Sequence, residues 1–162
     1  MPNDQYEDTH SLNLERYVPA LVTFLANKLS TGASSLYREL FGIGIVEWRL
    51  ISLLVVENGI SANRMCQVIG LDKSGVSRSL KFLENEKYVY SSVDPEDARR
   101  FIIWMTNKGR ALHDKVFEVA IAREKLLLEG FSKKEVDTLI KLLNRLNDSV
   151  SKVNSFRPNL PK

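Results

Sequence analysis

Cysteine is almost absent from this chain. The single thiol, Cys66, cannot close an internal disulfide, and with His10 and His113 as the only histidines there is no material for a Cys/His metal cluster. A lone thiol suits a reducing compartment. Long apolar runs are missing too, and none approaches the roughly 20 residues needed to span a bilayer. The first residues, Met-Pro-Asn-Asp-Gln-Tyr-Glu-Asp, are polar and acidic, without the basic start or apolar centre of a signal peptide. The expected location is therefore cytoplasmic, with no membrane partner. Glycine and proline are sparse and no repeat or low-complexity tract is visible, which excludes a repeat architecture. No Ser-His-Asp set, nucleotide-binding glycine loop or metal motif emerges, so neither an enzyme nor a bound cofactor is expected. His113 has no evident partner and reads as a surface or packing residue.

Charge of one sign is also limited. A net charge of +3 and a pI near 9.0 admit nucleic acid as a partner without demanding it. What matters is where the charges sit. The 162 residues suit one domain with an appended oligomerisation element.

Helical periodicity dominates both ends. Leu14, Val18, Leu21 and Leu25 recur at steps of three and four, which predicts a helix over 12–30, starting late or kinked at Pro19. A short helix over 34–41 should stop at Gly42 and Gly44. A third, over 46–57, is apolar on most sides and should be buried. Towards the other end a long helix is expected over 107–129, closed by Gly130. Ser132 and Glu135 then form a capping box. Val136, Leu139, Leu143, Leu146, Val150 and Val153 follow as a heptad seam. Such a seam would leave apolar surface exposed in a monomer, so the first and last helices are expected to build a homodimer. Packing within one chain is the alternative.

The middle of the chain is more specific. Ser61 is a good N-cap, and Ala62, Met65, Cys66 and Ile69 then share one face of a short helix that Gly70 ends. Asp72 caps the next helix, over 73–86. There Val76, Leu80 and Leu83 point inward while Ser74, Arg78 and Lys81 lie opposite, beside Lys73, Gly75 and Ser77. Two short helices joined by a glycine turn are the pattern of a helix-turn-helix. The outer face of the second carries three basic residues and no acid between Lys73 and Lys81, interleaved with slim side chains. That is what a DNA major groove requires. A merely solvated face is the plain alternative, and one-signed charge speaks against it. Tyr88–Val93 and Phe101–Met105 read as the strands of a hairpin. Asp94-Pro95-Glu96-Asp97-Ala98-Arg99-Arg100 forms the loop between them, its arginines placed to reach a minor groove. Thr106 caps the helix that follows.

The run Leu71-Asp72-Lys73-Ser74-Gly75-Val76-Ser77-Arg78, then Leu83-Glu84, then Asp94-Pro95-Glu96-Asp97-Ala98-Arg99 with Thr106 and Gly109, resembles the MarR family of bacterial transcription regulators. Glu47-Trp48-Arg49 looks like the start of that family's third helix. The resemblance runs from about 12 to 153. It implies a mostly α fold with a small β wing, a winged helix-turn-helix with long N- and C-terminal dimerisation helices. The expected parts are a flexible arm over 1–10, dimerisation helices over 11–45 and 107–155, a DNA-binding domain over 46–106 and a tail over 156–162. It further implies a dimeric repressor on a pseudo-palindrome of double-stranded DNA. Lys73, Ser74, Gly75, Ser77, Arg78 and Lys81 would face the major groove, and Asp97 would orient Arg99 towards the minor groove with Arg100 beside it. Three positions depart from the family: Gly75 stands where threonine is common, Ala98 where arginine is frequent, and Lys87 where glycine is usual. The family also implies a small aromatic or phenolic ligand, for which Tyr17, Tyr37, Trp48 and Arg49 are candidates. Core packing of those aromatics, with Arg49 paired to an acid, is the competing reading. A redox role for Cys66 is disfavoured, because its face of the helix calls for a small packed residue. A winged-helix module that docks protein instead of DNA is the rival function.

Overall fold

The computed structural model describes residues 12–159. The arm expected over 1–10 and the last residues of the tail, 160–162, lie outside the described residues. Eight elements follow in order: α1 (Val18–Phe41), α2 (Ile45–Val56), α3 (Ala62–Ile69), α4 (Lys73–Asn85), β1 (Val89–Asp94), β2 (Asp97–Met105), α5 (Asn107–Leu127) and α6 (Lys133–Ser155). The fold is mostly helical with a two-stranded antiparallel wing, as the sequence implied.

Pro19 sets the start of α1. It occupies the first turn, where its missing N–H is not needed, and Tyr17 precedes the helix as N-cap. The break expected between 30 and 34 does not occur, because α1 runs unbroken to Phe41. Gly32 costs a helix only about 1 kcal/mol relative to alanine. The buried stripe simply continues past it through Ala33 and Tyr37. In α2, Leu50, Ile51 and Leu54 are fully buried, and α2 packs against α1, α3, α4 and β2. It is the central helix that its all-round apolar sequence predicted.

The caps appear where the sequence placed them. Ser61 Oγ accepts from Arg64 N at 3.2 Å, and Asp72 Oδ1 accepts from Gly75 N at 2.9 Å. Thr106 Oγ1 accepts from Gly109 N at 3.0 Å. The Ser132–Glu135 box is reciprocal, at 3.3 and 2.8 Å. Gly70, at φ +72°, makes the left-handed turn between α3 and α4.

The wing is longer than expected. Asp94 pairs with Asp97, so only Pro95 and Glu96 turn the chain, and β2 begins at Asp97. Arg99 and Arg100 therefore belong to a strand, not to a loop, as do Asp97 and Ala98. Asp97 pairs with Asp94 and Phe101 with Val93, so Ala98, Arg99 and Arg100 lie in the irregularity between these two pairs, without β1 partners of their own, and are held in the strand by the pairing on either side.

The chain divides into two compact units after Glu118, within α5. The first holds α1 to β2 and the buried core. Within it, Trp48 of α2 stacks on His113 of α5 with ring centroids 5.3 Å apart, and His113 stacks on Phe117 at 5.6 Å. His113 is thus a packing residue. The second unit includes α6, none of whose residues is buried; Leu139, Leu143, Leu146, Val150 and Val153 are all exposed. On α1, Val18, Leu21, Phe24 and Leu25 are similarly open. Among the described residues no helix is long and apolar enough to cross a membrane, and no cluster of side chains could hold a metal.

Candidate nucleic-acid interface

The outer face of α4 is built by its inner one. Val76 and Leu83 are fully buried and Leu80 nearly so, which fixes Lys73, Ser74, Ser77, Arg78 and Lys81 on the solvent side. Among the described residues no carboxylate pairs with Lys73, Arg78 or Lys81, so this cationic face has no internal neutralisation. Ser74 is engaged within the cap, its hydroxyl donating to Asp72 Oδ1 at 2.5 Å. That bond, followed by the Gly75 N–H, holds the Asp72 carboxyl below its usual range. Gly75 is not forced by crowding. A Cβ there would sit 3.4 Å from Asp72 Oδ2, an ordinary contact.

The wing brings further cations alongside. Asp97 Oδ1 accepts from the backbone N–H of Arg99 at 3.0 Å, so it steadies the arginine through the main chain. The Arg100 Nε lies 3.9 Å from Asp94 Oδ2. A groove of about 570 Å³ opens between the wing and the start of α3, lined by Asn63, Arg64, Lys73, Arg99, Arg100 and Phe101, among others. Sequence reasoning missed Asn63, Arg64 and Phe101. The signal for the first two was available: from Asn58 to Leu71 there is no acidic residue. Arg64 is held by Glu57 through two bonds of 2.9 and 2.8 Å, and its hydrogen bonds keep the Glu57 carboxyl below its usual range.

Behind the cationic face, three contacts fasten α4. Ser79, 7% exposed, donates to Glu47 Oε1 at 2.6 Å. The helix ends in a Schellman motif, with Tyr88 N donating to Leu83 O and Lys87 N to Glu84 O, both at 2.9 Å. Lys87 takes the left-handed position at φ +60°, the only non-glycine among the described residues with positive φ. The exit is therefore the one a glycine would give. Finally, Tyr88 O accepts from Thr106 N and Thr106 Oγ1, while Lys108 Nζ donates to Glu86 O at 2.6 Å and sits 4.5 Å from the Tyr88 ring centre.

The four ligand candidates are not gathered at one place. Tyr37 is buried and meets Trp48 edge-on at 6.0 Å, so these two join the aromatic packing with His113. Tyr17 lies at the far end of α1, about 30 Å from Tyr37 along the helix axis. Arg49 Nη2 donates to the Ser30 hydroxyl at 2.8 Å, not to an acid. Near it, Ser30, Thr31, Ser34 and Arg38 line a cleft of about 490 Å³ between α1 and the start of α2. Cys66 is half-buried on α3.

Comparison with known proteins agrees with this architecture. The family model described as MarR family matches residues 41–100. The crystal structure of a MarR/EmrR family transcriptional regulator from Acinetobacter sp. ADP1 superposes with a TM-score of 0.81 at 40% identity, covering 87% of this chain and 99% of that one. The S. aureus MepR–DNA complex gives a TM-score of 0.73 at 22% identity, covering 85% and 99% of the two chains. An uncharacterised HTH-type transcriptional regulator of Bacillus subtilis (strain 168), YdgJ, is 27% identical over 112 residues, 69% of this chain and 68% of its own length.

Proposed function

The chain belongs to the MarR family of transcription regulators, and from that premise we propose that it acts as a homodimeric repressor on a pseudo-palindromic DNA operator. One observation carries the reading: the outward face of α4 is cationic, unpaired, and flanked by the arginine-lined groove of the wing. In this reading Arg78 and Lys81 read base edges or phosphates in the major groove, with Ser77 and Gly75 letting the helix sit deep. Lys73 and Ser74 lie at the N-terminal end of that helix, where its backbone favours a phosphate. Arg99 and Arg100 follow the backbone into the neighbouring minor groove, where negative potential attracts guanidinium groups. The MepR structure, solved with DNA, supports this use of the fold.

A homodimer accounts for the apolar faces that α1 and α6 leave exposed, which are larger than scattered surface residues would make. Release by a small aromatic acid is the regulatory part of the proposal. The α1–α2 cleft offers hydroxyls and Arg38, with Arg49 tethered at its Ser30 edge, a set suited to a carboxylate. DNA as partner places the protein in the cytoplasm.

The test is binding to a duplex selected from a randomised pool, followed by Arg78→Ala. The substitution should cost about 1–3 kcal/mol and relax sequence preference. Affinity should also fall steeply with salt. Binding that ignores salt, or an Arg78→Ala variant with unchanged affinity and selectivity, would favour a protein-docking module instead.

A further inference from the structure

Ser79 is out of place by composition. The inner face of α4 is otherwise apolar, with Val76, Leu80 and Leu83 around it, and Ser79 is buried to about the same degree as Leu80. A buried hydroxyl costs free energy unless it finds an acceptor. Its acceptor comes from 32 residues away: Glu47 Oε1, at 2.6 Å, a charge-assisted bond. The other carboxylate oxygen, Oε2, accepts from Gly44 N at 2.9 Å. A Cβ on Gly44 would lie 2.8 Å from that oxygen, so the carboxylate closes directly onto the main chain just before α2. The same segment is tied to α1 by Ile45 N donating to Ser34 Oγ at 3.3 Å.

Apolar packing is non-directional and tolerates small rotations of a helix about its axis. A short bond between a buried hydroxyl and a carboxylate anchored at its other oxygen does not. Rotating α4 by about 20° would carry a side-chain tip roughly 6 Å from the axis through about 2 Å, enough to break a hydrogen bond to a base edge. Arg78 is adjacent to Ser79 and Lys81 two residues beyond, so their aim is set by that rotation.

We propose that Glu47 is a positioning residue for DNA recognition, fixing through Ser79 the rotational setting of α4 against the start of α2. This rests on the DNA-binding reading. The full chain is measured on the duplex that it selects and on a scrambled duplex of equal length, with thermal melting alongside. Ser79→Ala keeps a small side chain suited to a buried helix, and Glu47→Ala removes the acceptor. Each should lower affinity for the selected duplex on the order of tenfold while binding to scrambled DNA holds within about twofold. The double variant should be no worse than either single one. Glu47→Gln should largely restore selectivity, because its amide can donate to Ser79 Oγ and accept from Gly44 N–H.

A preserved ratio between the two duplexes in the single variants overturns the proposal. So do additive losses, a parallel fall on both duplexes that tracks melting temperature, or a Glu47→Gln variant as impaired as Glu47→Ala. If the unaltered protein selects no duplex, the DNA-binding reading itself fails and takes this inference with it. A protein that selects a duplex while its variants keep the ratio loses only the inference.

Discussion

Replacing Lys87 with glycine should stabilise the protein, and the gain follows from one backbone angle. Lys87 is the C′ residue of α4 and sits at φ +60°, inside a Schellman motif whose two hydrogen bonds need that conformation. For an L-residue the left-handed region costs about 1–2 kcal/mol. Glycine adopts it freely but loses more entropy on folding, roughly 0.5–1 kcal/mol. The difference leaves a net gain of about 0.5–1 kcal/mol, or roughly 2–3 °C in melting temperature for a chain of this size. The lysine side chain is exposed and makes no ion pair, so little is lost with it. Thermal and urea unfolding followed by circular dichroism, at fixed protomer concentration, should show a higher midpoint with an unchanged urea m-value. Lys87→Ala is the control: it removes the same side chain but keeps the strained φ, and should bring no such gain. Equal or lower stability for Lys87→Gly, or an equal gain for Lys87→Ala, would refute the strain argument.

Three further outcomes are expected. Gly109→Ala should be strongly destabilising, at the upper end of the roughly 1–3 kcal/mol typical of overpacking, because its Cβ would lie 2.1 Å from the Tyr88 carbonyl oxygen. A denaturant midpoint within error of the parent would contradict that contact. Asp72→Ala should lower stability measurably through loss of the α4 cap. Since the folded Asp72 carboxyl is depressed, its contribution is complete above its ordinary unfolded pKa and disappears as pH falls through the lower folded value. Comparing the two proteins' acid unfolding curves checks this, and the gap should close at the acid end. Arg99→Ala should weaken operator binding most where A·T-rich sequence flanks the site. A uniform loss across flanks, measured by titrating duplexes that differ only there, would make Arg99 a plain phosphate contact.

The parts legible in the sequence were those decided locally. Ser61, Asp72, Thr106 and Ser132 each cap the helix immediately after them, and a cap depends on residues two or three positions away. The sidedness of α4 was likewise a matter of 100° per residue. What escaped depends on partners distant in sequence. The stretch between 30 and 34 read as a break because the burial that carries α1 through it is decided by α2. The wing arginines looked like loop residues because what extends β2 through them is the Asp94–Asp97 pair beyond an irregularity, which their own propensities do not encode. The Glu47–Ser79 bond spans 32 residues, and nothing in either local pattern announces it. Arg64 differs, because the acid-free stretch from Asn58 to Leu71 that carries it is visible in the sequence, whereas its place beside the wing is not. Lys87 was visible as a departure from the family, yet the backbone takes the glycine-like conformation regardless.

The solitude of Ser77, Arg78 and Lys81 has an evolutionary side. None of their side chains makes a hydrogen bond or ion pair with the rest of the described chain. Mutation at these positions can therefore drift towards new operator sequences without eroding the fold that displays them. Ser74 is less free, since it is bound into the Asp72 cap. A library randomised at 77, 78 and 81 should consequently yield mostly folded proteins with altered DNA preferences, whereas one that includes 74 should also scatter in stability.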